Sequence, residues 1–559
     1  MKTLYKAIAA ATLLTPLFTG CIEEAIPTSS VIQSQLEGNP AATEALVWGM
    51  PGRMNQITLD ADTHCDFGYP AIMHMRDVMT EDMSVRYAGG YDWFSGWSAN
   101  LATGPNKLFT QIVWNYFYEQ ILTSNKTISA IDINTDSPEL RSYLGAGYAY
   151  RAFIYLDMAR MYEVLPNDLF PDCMSPDGND IKGLTVPIVT EETTEEQSRN
   201  NPRASHSEIF NFIKGDLETA VSLLSTNAAA RVSKTIPNLP VVYGLMARMY
   251  LWDASYQAEI NSDAALAATQ YDNAAKYARL AISESGAVPL TESEWQSTTS
   301  GFNDSSFSSW LFAGQYNKED DVVVAGGIRT FTSFCSNEQN FGYAAPEQGS
   351  FTEIGASLYE RLSDRDFRKL SFVAPEGSVL KGREPFLDKE FAAANFDGPY
   401  IAIKFRPGEG NMTDYNVGAV VAYPLMRVEE MYFIEAEAKA HNNPAEGNNL
   451  LTTFMKAYRN PNYTNYVSDE DGVVEEIVFQ KRIELWGEGL SFFDIKRLNM
   501  PVTRFYDGTN FDITLNTFNT NTRPAWMNFC IVQTEPNNNT GVAGYNTPSC
   551  EQAYPVISQ

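Results

Sequence analysis

Helical periodicity is the feature of this sequence that most restricts what it can fold into. One side of residues 140–163 carries aliphatic, small and aromatic side chains at helical spacing, namely Leu144, Tyr148, Ala152, Tyr155 and Ala159. Comparable runs cover residues 240–252, 271–284, 427–441 and 473–486. A period of 3.6 residues indicates helices, and small residues on their contact faces let helices approach closely. The sequence therefore predicts a mainly α fold whose helix pairs resemble a tetratricopeptide scaffold, with a generic helical bundle as the alternative.

One helix start is marked by its own side chains. Ser205 and Glu208 have the spacing of a capping box, in which each side chain bonds the backbone N–H of the other residue. We expect this helix to run to about Leu224.

Residues 286–425 break the helical pattern. They are rich in Gly, Ser, Asn, Asp, Pro and aromatic residues. The apolar run VVV at 322–324 predicts a strand within them. Because long irregular regions inside ordered proteins are often functional, we expect a loop-rich ligand face over about 286–425. The helical scaffold is expected over about 41–285 and 426–499.

The first 20 residues have the pattern of an export signal. Lys2 and Lys6 precede an apolar run at 7–18, and small residues lead to Cys21. The position of Cys21 is similar to a bacterial lipobox, which implies cleavage before Cys21 and lipid on its sulfur. Residues 21–40 then have the composition of a tether, and residues 41–559 are expected to form a single domain. No later segment is apolar for 18 residues, so the predicted membrane attachment is the lipid alone.

The charge of the chain restricts its ligands. Removal of residues 1–20 leaves 38 basic and 69 acidic residues, a net charge of −31. A surface so acidic repels polyanions. We therefore expect no nucleic acid partner, and neutral ligands fit best.

The cysteines and short motifs indicate no cofactor. Five cysteines follow Cys21, and only Cys530 and Cys550 lie close together in loop-like sequence, which makes them the candidate disulfide. No spacing suits a zinc site or a nucleotide loop. The acidic run at 177–180 does not follow calcium-loop spacing, and a structural calcium stays open.

Two segments near the C-terminus carry a family resemblance. They are YPLMRVEEMYFIEAEA at 423–438, and QKRIELWGEG at 480–489 followed by FFDIKR at 492–497. Both resemble hallmark segments of the SusD/RagB family, and residues 141–164 resemble an early helix of that family. Ser491 departs from the family pattern, which often has Arg or His there. With the lipobox, the resemblance covers essentially the whole mature chain.

The resemblance implies a lipoprotein on the surface of the bacterial outer membrane. Such proteins bind a nutrient, usually an oligosaccharide, and sit over a TonB-dependent barrel of the SusC type. The implied fold is a tetratricopeptide-like helical scaffold with a loop-rich ligand face, and the implied protein is not an enzyme.

The hallmark carboxylates are predicted to be structural. Glu435 and Glu437 are two positions apart on a helix and therefore point in different directions. Glu484 and Glu488 share a face, and ion pairs with Lys481 and Arg482, the basic residues that precede them, are the expected arrangement.

Aromatic loop residues are the leading candidates for ligand contact. An aromatic ring can stack on the C–H face of a sugar, while Asp, Asn and Arg bond its hydroxyls. In residues 60–97 such residues are interleaved with glycine as in an exposed loop. The candidates are Tyr91, Trp93, Trp97, Asp66 and Asp82, whereas Phe94, which has no polar group, is expected in the core. Outside this segment they are Trp295, Trp310 and Arg406.

Three alternatives to sugar capture stay open at this point. The same architecture could capture peptides. The protein could instead be an outer-membrane glycosidase, because a glycosidase needs only two carboxylates placed in space. It could also be an interaction scaffold without a ligand of its own.

Overall fold

The computed structural model describes residues 40–59, 63–86, 94, 103–514, 517–551 and 553–557. Within these ranges the fold is mainly helical, as predicted. The helices of the first half are α1 (Pro40–Arg53), α2 (Tyr69–Val78), α3 (Leu108–Ser129), α4 (Pro138–Tyr162), α5 (Glu195–Ser198), α6 (His206–Ser225), α7 (Leu239–Glu259) and α8 (Ala264–Ser285).

Only short elements lie between α8 and residue 428. The helices there are α9 (Glu292–Trp295), α10 (Asp321–Val324), α11 (Phe331–Cys335), α12 (Ala356–Arg361), α13 (Lys389–Asn395) and α14 (Tyr415–Gly418). The helices that follow are α15 (Val428–Asn442), α16 (Pro444–Tyr458), α17 (Glu470–Glu484) and α18 (Ser491–Arg497).

The long helices form one continuous array. In this array α3, α4, α6, α7, α8 and α15 each pack against the next, and α15 also packs against α16 and α17. Small residues make this close approach possible. A Cβ atom at Gly145 of α4 would lie 2.7 Å from Cγ of Leu224 on α6. The small residues predicted on the helix faces therefore serve helix–helix packing.

Local signals explain where several helices begin and end. Ser205 and Glu208 form the predicted capping box at the start of α6. The side chain of Ser137 accepts a hydrogen bond from the N–H of Leu140 at the start of α4, and Pro138 occupies the first turn. Gly286 ends α8 in the left-handed conformation, at φ 62°.

Two small antiparallel sheets fasten the loop-rich region to the rest. Strands β1 (Met83–Val85) and β3 (Thr352–Ile354) form one pair, with Ser84 opposite Glu353. Strands β2 (Trp310–Gln315) and β4 (Ala422–Arg427) form the other, and β4 leads directly into α15. The loops of residues 286–427 are therefore tied both to the segment before residue 87 and to the helical array.

The strand prediction for residues 322–324 is wrong. These valines lie in the helical turn α10, where Val322 and Val323 are buried and Val324 is exposed. A run of four residues is too short for periodicity to separate a strand from a helical turn. Asp320 precedes the turn, and its backbone carbonyl accepts from the N–H groups of Val323 and Val324.

None of the helices in the described ranges combines the length and the apolarity that crossing a membrane requires.

Candidate functional site

A surface cavity of about 340 Å³ lies in the loop-rich region. We call it the aromatic pocket, and it is lined by Ile328, Asn340, Phe341, Gly342, Tyr343, Ala345, Glu347 and Gln348. All of these residues come from two neighbouring stretches of one chain segment. The pocket therefore depends on how that segment is held.

A stack of aromatic rings supports the pocket from below. The ring of Tyr343 stacks on Phe334 with centroids 5.0 Å apart, and Phe334 stacks on Phe67 at 4.9 Å. His64 meets Tyr343 edge-on at 4.6 Å. Phe67 and Phe334 are buried, whereas Tyr343 is half-buried. Tyr343 is therefore the outermost ring of the stack.

Phe94 joins this stack from the aromatic stretch of residues 89–97. Its ring lies 4.7 Å from that of Phe334 and 4.3 Å from that of His74, and it is 2% exposed. The prediction that Phe94 belongs to the core is confirmed. This residue fixes one point of the aromatic stretch beneath the aromatic pocket.

Two buried polar side chains beside the ring stack, His74 and Cys335, are neutral. Burial lowers the pKa of His74 to about 3, so its ring is neutral at physiological pH. Burial raises the pKa of the Cys335 thiol, whose Sγ lies 3.6 Å from Nδ1 of His74. The ring stack beneath the pocket is therefore held by aromatic and apolar packing.

Side-chain hydrogen bonds fix the backbone of the pocket wall. The Oε1 atom of Gln339 accepts from the N–H groups of Phe341 and Gly342, each at 2.6 Å. The hydroxyl of Ser333 accepts from the N–H of Tyr343 at 3.0 Å. Gly342 is required by close approach, because a Cβ atom there would lie 2.5 Å from Cα of Ser333. The ring of Tyr343 is thus presented on a defined backbone.

The edge of the pocket is polar. Asn340, Glu347 and Gln348 are exposed there, and Ile328 adds an exposed apolar side chain. The amides can donate and accept, and the carboxylate accepts. A flat ring beside such groups suits a ligand that has an apolar face and hydroxyl groups at its edges.

The two predicted aspartates do not contact this pocket. Asp66 is buried, and its two carboxylate oxygens accept from the N–H groups of Thr58 and Leu59 at 2.8 Å. Asp82 is buried and pairs with Arg482. Both carboxylates are used inside the protein, and the prediction that they bond a ligand is corrected.

Trp295, Trp310 and Arg406 are also interior residues, so their predicted ligand contacts are corrected too. The indole N–H of Trp295 donates to the hydroxyl of Ser371 at 2.7 Å. Trp310 is 1% exposed in β2. Arg406 is 3% exposed and forms an ion pair with Glu338. The composition of residues 286–425 indicates loops, but it does not show that these loops fold over the three side chains and bury them.

Four further predictions lie outside the described residues. These are the lipid attachment at Cys21 and the ligand contacts of Tyr91, Trp93 and Trp97. They stay predictions.

The predicted disulfide is not formed. Cys530 and Cys550 are both buried free thiols. The Sγ of Cys530 contacts the carbonyl oxygen of Thr547 at 3.5 Å, and that of Cys550 lies 3.7 Å from the hydroxyl of Thr103. Each sulfur thus has a polar neighbour, and the two thiols are not bonded to each other. In the parts of the chain that the structure describes, no cluster of three or more His, Cys, Asp or Glu residues is arranged to hold a metal ion.

Sequence reasoning missed the residues that form the aromatic pocket. Residues 338–349 read EQNFGYAAPEQG, and they interleave aromatic, amide and glycine residues as residues 89–97 do. This mixture of residue types is the feature of the sequence that could have indicated the pocket. Half of the predicted ligand contacts are tryptophans, although the ring of tyrosine offers the same kind of face.

Comparison with known proteins agrees with the architecture. A family model described as "SusD family" matches residues 293–548, and one described as "Starch-binding associating with outer membrane" matches residues 58–251. The chain belongs to the SusD/RagB family. The SusD/RagB match at 293–548 includes the aromatic pocket and both hallmark segments. No curated protein matches the sequence.

Solved structures of the SusD superfamily share the fold over nearly their whole length. A SusD-like carbohydrate binding protein from Bacteroides vulgatus is 21% identical, with a TM-score of 0.67 over 91% of this chain and 98% of that one. A SusD superfamily protein from Bacteroides thetaiotaomicron is 18% identical, with a TM-score of 0.65 over 91% and 99%. One from Bacteroides fragilis is 16% identical, with a TM-score of 0.61 over 90% and 99%.

The SusD/RagB hallmark segments form a buried network of charges. Glu484 accepts hydrogen bonds from Arg459 at 2.7 Å, Arg368 at 3.0 Å and Arg427 at 3.2 Å. Glu488 accepts from Arg427 and from Lys404, the latter at 2.8 Å. We call these residues, with Glu429, the hallmark network. All six residues named in the bonds are buried.

The surroundings shift the pKa values within the hallmark network. Burial alone would raise the pKa of Glu484, but Arg459, Arg427 and Arg368 hold it well below its ordinary value. Burial lowers the pKa of Lys404 to about 8, although Glu488 acts in the opposite direction. The network therefore depends on each charge keeping its partner.

The hallmark network joins the loops to the helices of the SusD/RagB fold. Arg368 and Lys404 come from the loop-rich region, and Arg427 ends β4. Arg459 follows α16, and Glu484 ends α17. The structural role predicted for these carboxylates is thus the one they have.

The predicted partners of Lys481 and Arg482 are wrong. Lys481 pairs with Asp494 at 2.9 Å, and Arg482 pairs with Asp82. Both partners lie outside α17, so tertiary pairs replace the expected pairs along the helix. Glu435 and Glu437 do point apart as predicted, because Glu435 pairs with Arg279 and Glu437 with Arg497.

Proposed function

We propose that this protein is a lipid-anchored, surface-exposed binding protein that captures a neutral oligosaccharide at the aromatic pocket and delivers it to a SusC-like TonB-dependent barrel. The observation that carries the proposal is the neutral ring stack that ends in the half-buried ring of Tyr343 beside an amide-rich edge. A sugar ring stacked on Tyr343 would place its hydroxyls near Asn340 and Gln348.

The anchored aromatic stretch supports an extended site. Phe94 packs under the pocket through Phe334, and Trp93 precedes Phe94 directly in the chain. Trp93 and Trp97 therefore remain our candidates for additional stacking surfaces. Several rings in sequence suit an oligosaccharide better than a single sugar.

Charge supports a neutral ligand. The chain carries 69 acidic and 40 basic residues, and Glu347 adds a carboxylate at the pocket edge. Sulfated or uronic acid-rich glycans would meet repulsion both over the whole surface and at the pocket itself.

We propose binding without catalysis. Glycoside hydrolysis generally uses two carboxyl groups that flank the scissile bond. Among the described residues that line the aromatic pocket, Glu347 is the single carboxylate. The carboxylates of the hallmark network are buried under the loops and paired with Arg and Lys.

The location and the partner are part of the same proposal. Lipid on Cys21 followed by the tether of residues 21–40 would hold the domain at the outer membrane. Two observations support this: the lipobox-like sequence, and the match to a family described as associating with the outer membrane. One structural relative is described as a carbohydrate binding protein.

Calorimetry against a panel of ligands tests the proposal. The panel contains neutral hexasaccharides, a sulfated glycan, a uronic acid oligosaccharide and unstructured peptides. We expect binding to at least one neutral hexasaccharide and none to the charged glycans. Tight binding to peptides with no binding to any glycan would contradict the sugar proposal. Release of reducing ends during incubation would contradict the absence of catalysis.

A further inference from the structure

A second cavity lies at the end of strand β1, before the aromatic stretch in the chain. This cleft has a volume of about 400 Å³, and its lining includes the end of β1 and Arg86, the residue after that strand. We call it the Arg86 cleft, and its main side chains are those of Arg86, Glu353, Tyr400, Thr509, Asn510 and Asp512. It shares no lining residue with the aromatic pocket.

A fixed set of polar groups forms one wall of the Arg86 cleft. The guanidinium of Arg86 donates to Oε1 of Glu353 at 2.7 and 3.1 Å, and Nδ2 of Asn510 donates to Oε2 of the same carboxylate at 3.2 Å. Arg86 also pairs with Asp397. These bonds to described residues occupy three of the five N–H groups of Arg86. The side chain of Arg86 is 31% exposed, so N–H donors remain for a ligand.

The charges of the Arg86 cleft select against anions. Burial raises the pKa of Glu353, and Arg86 opposes that shift. The hydrogen bond from Arg86 lowers the pKa of Asp397. Asp512 adds a further carboxylate to the lining of the cleft. A single arginine facing these carboxylates leaves acceptors for hydroxyl groups and no net attraction for a phosphate, sulfate or carboxylate ligand.

Tyr400 supplies an aromatic surface in the Arg86 cleft. Its backbone lies in the left-handed region at φ 71°, which is uncommon for a residue other than glycine. The backbone is held there because its N–H donates to Val373 at 2.7 Å and its carbonyl accepts from Ile354 at 3.0 Å. The hydroxyl donates to Glu360 at 3.0 Å, and the ring is half-buried. The ring is therefore fixed in position beside the polar wall.

We infer that the Arg86 cleft is a second subsite for a neutral sugar residue, which stacks on Tyr400 and bonds Arg86 and Asp512 through its hydroxyls. This inference rests on the proposed function. Arg86, which lines the cleft, comes three positions before the aromatic stretch, and Phe94 of that stretch packs on Phe334 beneath the aromatic pocket. The two subsites together require a ligand of several sugar residues.

The test compares variants of the two subsites by calorimetry of the full chain. The probes are maltohexaose, cellohexaose, xylohexaose, mannohexaose and an inulin-type hexasaccharide. Tyr400→Asn removes the ring and keeps a residue that tolerates the left-handed region. We expect it to lower the affinity for the bound hexasaccharide about tenfold while the variant stays folded. Asp512→Asn, at a partly exposed position, should lower that affinity about threefold and serves if Tyr400→Asn does not fold.

The outcomes separate this inference from the proposed function. If both variants bind every hexasaccharide as the wild type does, while Tyr343→Ala weakens binding, the second subsite is overturned and the proposed function stands. If the wild type binds none of the probes, the proposed function fails and the subsite fails with it.

Discussion

The hallmark network and the aromatic pocket use opposite physical means. The network consists of paired charges with almost no contact with water, and Glu484 alone accepts from three arginines. The pocket consists of neutral rings with amides and one carboxylate at the surface, and its outermost ring is half-buried. The difference teaches that the most recognisable segments of this SusD/RagB protein hold the fold, whereas ligand contact is expected in loops with no recognisable motif.

The loss of one charge from the hallmark network is expected to have the largest effect on stability. Glu484→Gln leaves Arg459, Arg427 and Arg368 without their shared carboxylate, and we expect a loss of about 3–5 kcal/mol of unfolding free energy. Chemical denaturation measures it. Glu475→Gln on the same helix is the matched control, because its ion pair with Arg361 is exposed and should contribute less than about 1 kcal/mol. Equal losses in the two variants would contradict the structural role of the network.

Phe94 separates anchoring from ligand contact within one stretch of chain. Phe94→Ala empties a buried site against Phe334 and His74, and we expect a loss of about 3 kcal/mol of stability. Trp93→Ala and Trp97→Ala should instead weaken glycan binding at an unchanged melting temperature. Thermal melts and calorimetry on the three variants measure this. A large drop in melting temperature for both tryptophan variants would show that those rings are packing residues.

His206 gives a pH-dependent measure of the buried charges. Its ring nitrogens contact Glu163 and Asp253, the latter at 2.9 Å. Burial alone would lower the pKa of His206, but the two carboxylates raise it to about 9. Because this pKa is raised on folding, protonated His206 stabilises the folded state, by at most about 3 kcal/mol of unfolding free energy. This stabilisation is complete below pH 6.5 and is lost as the pH rises through 9.

The measurement is the stability difference between wild type and His206→Gln from pH 6 to pH 10. We expect this difference to shrink as the pH rises. The pKa of Lys404 is lowered to about 8, so this residue titrates in the same pH range and changes the stability in the opposite direction. The effect of His206 is therefore measured by the difference between the two proteins and not by the wild-type curve alone. A difference that stays constant would contradict the buried ion pairs of His206.

The sequence predicted the scaffold well because helices depend on local spacing. The capping box at Ser205 and Glu208 and the periodic run of α4 can be recognised within a few residues. Phe94 was predicted correctly because a ring without a polar group has little to gain at the surface.

The contacts of polar loop residues could not be predicted in the same way. Asp66 bonds backbone N–H groups that lie before it in the chain, and Arg427 meets Glu484 across 57 positions. Trp295 was a candidate for sugar contact, but Lys404 and Arg459 lie 5.3 Å from its ring centroid in the interior. Whether an aspartate or a tryptophan faces water depends on which distant segments fold over it, and the local sequence pattern does not show this.

The aromatic pocket is tested most directly by calorimetry of Tyr343→Ala with a neutral hexasaccharide that the wild type binds. Tyr343→Phe keeps the ring, and Tyr466→Ala removes a ring that is 90% exposed elsewhere. We expect Tyr343→Ala to lose at least about tenfold in affinity, or about 1.4 kcal/mol, while both control variants bind as the wild type does. Unchanged affinity in Tyr343→Ala, with the variant folded, would contradict sugar capture at this pocket.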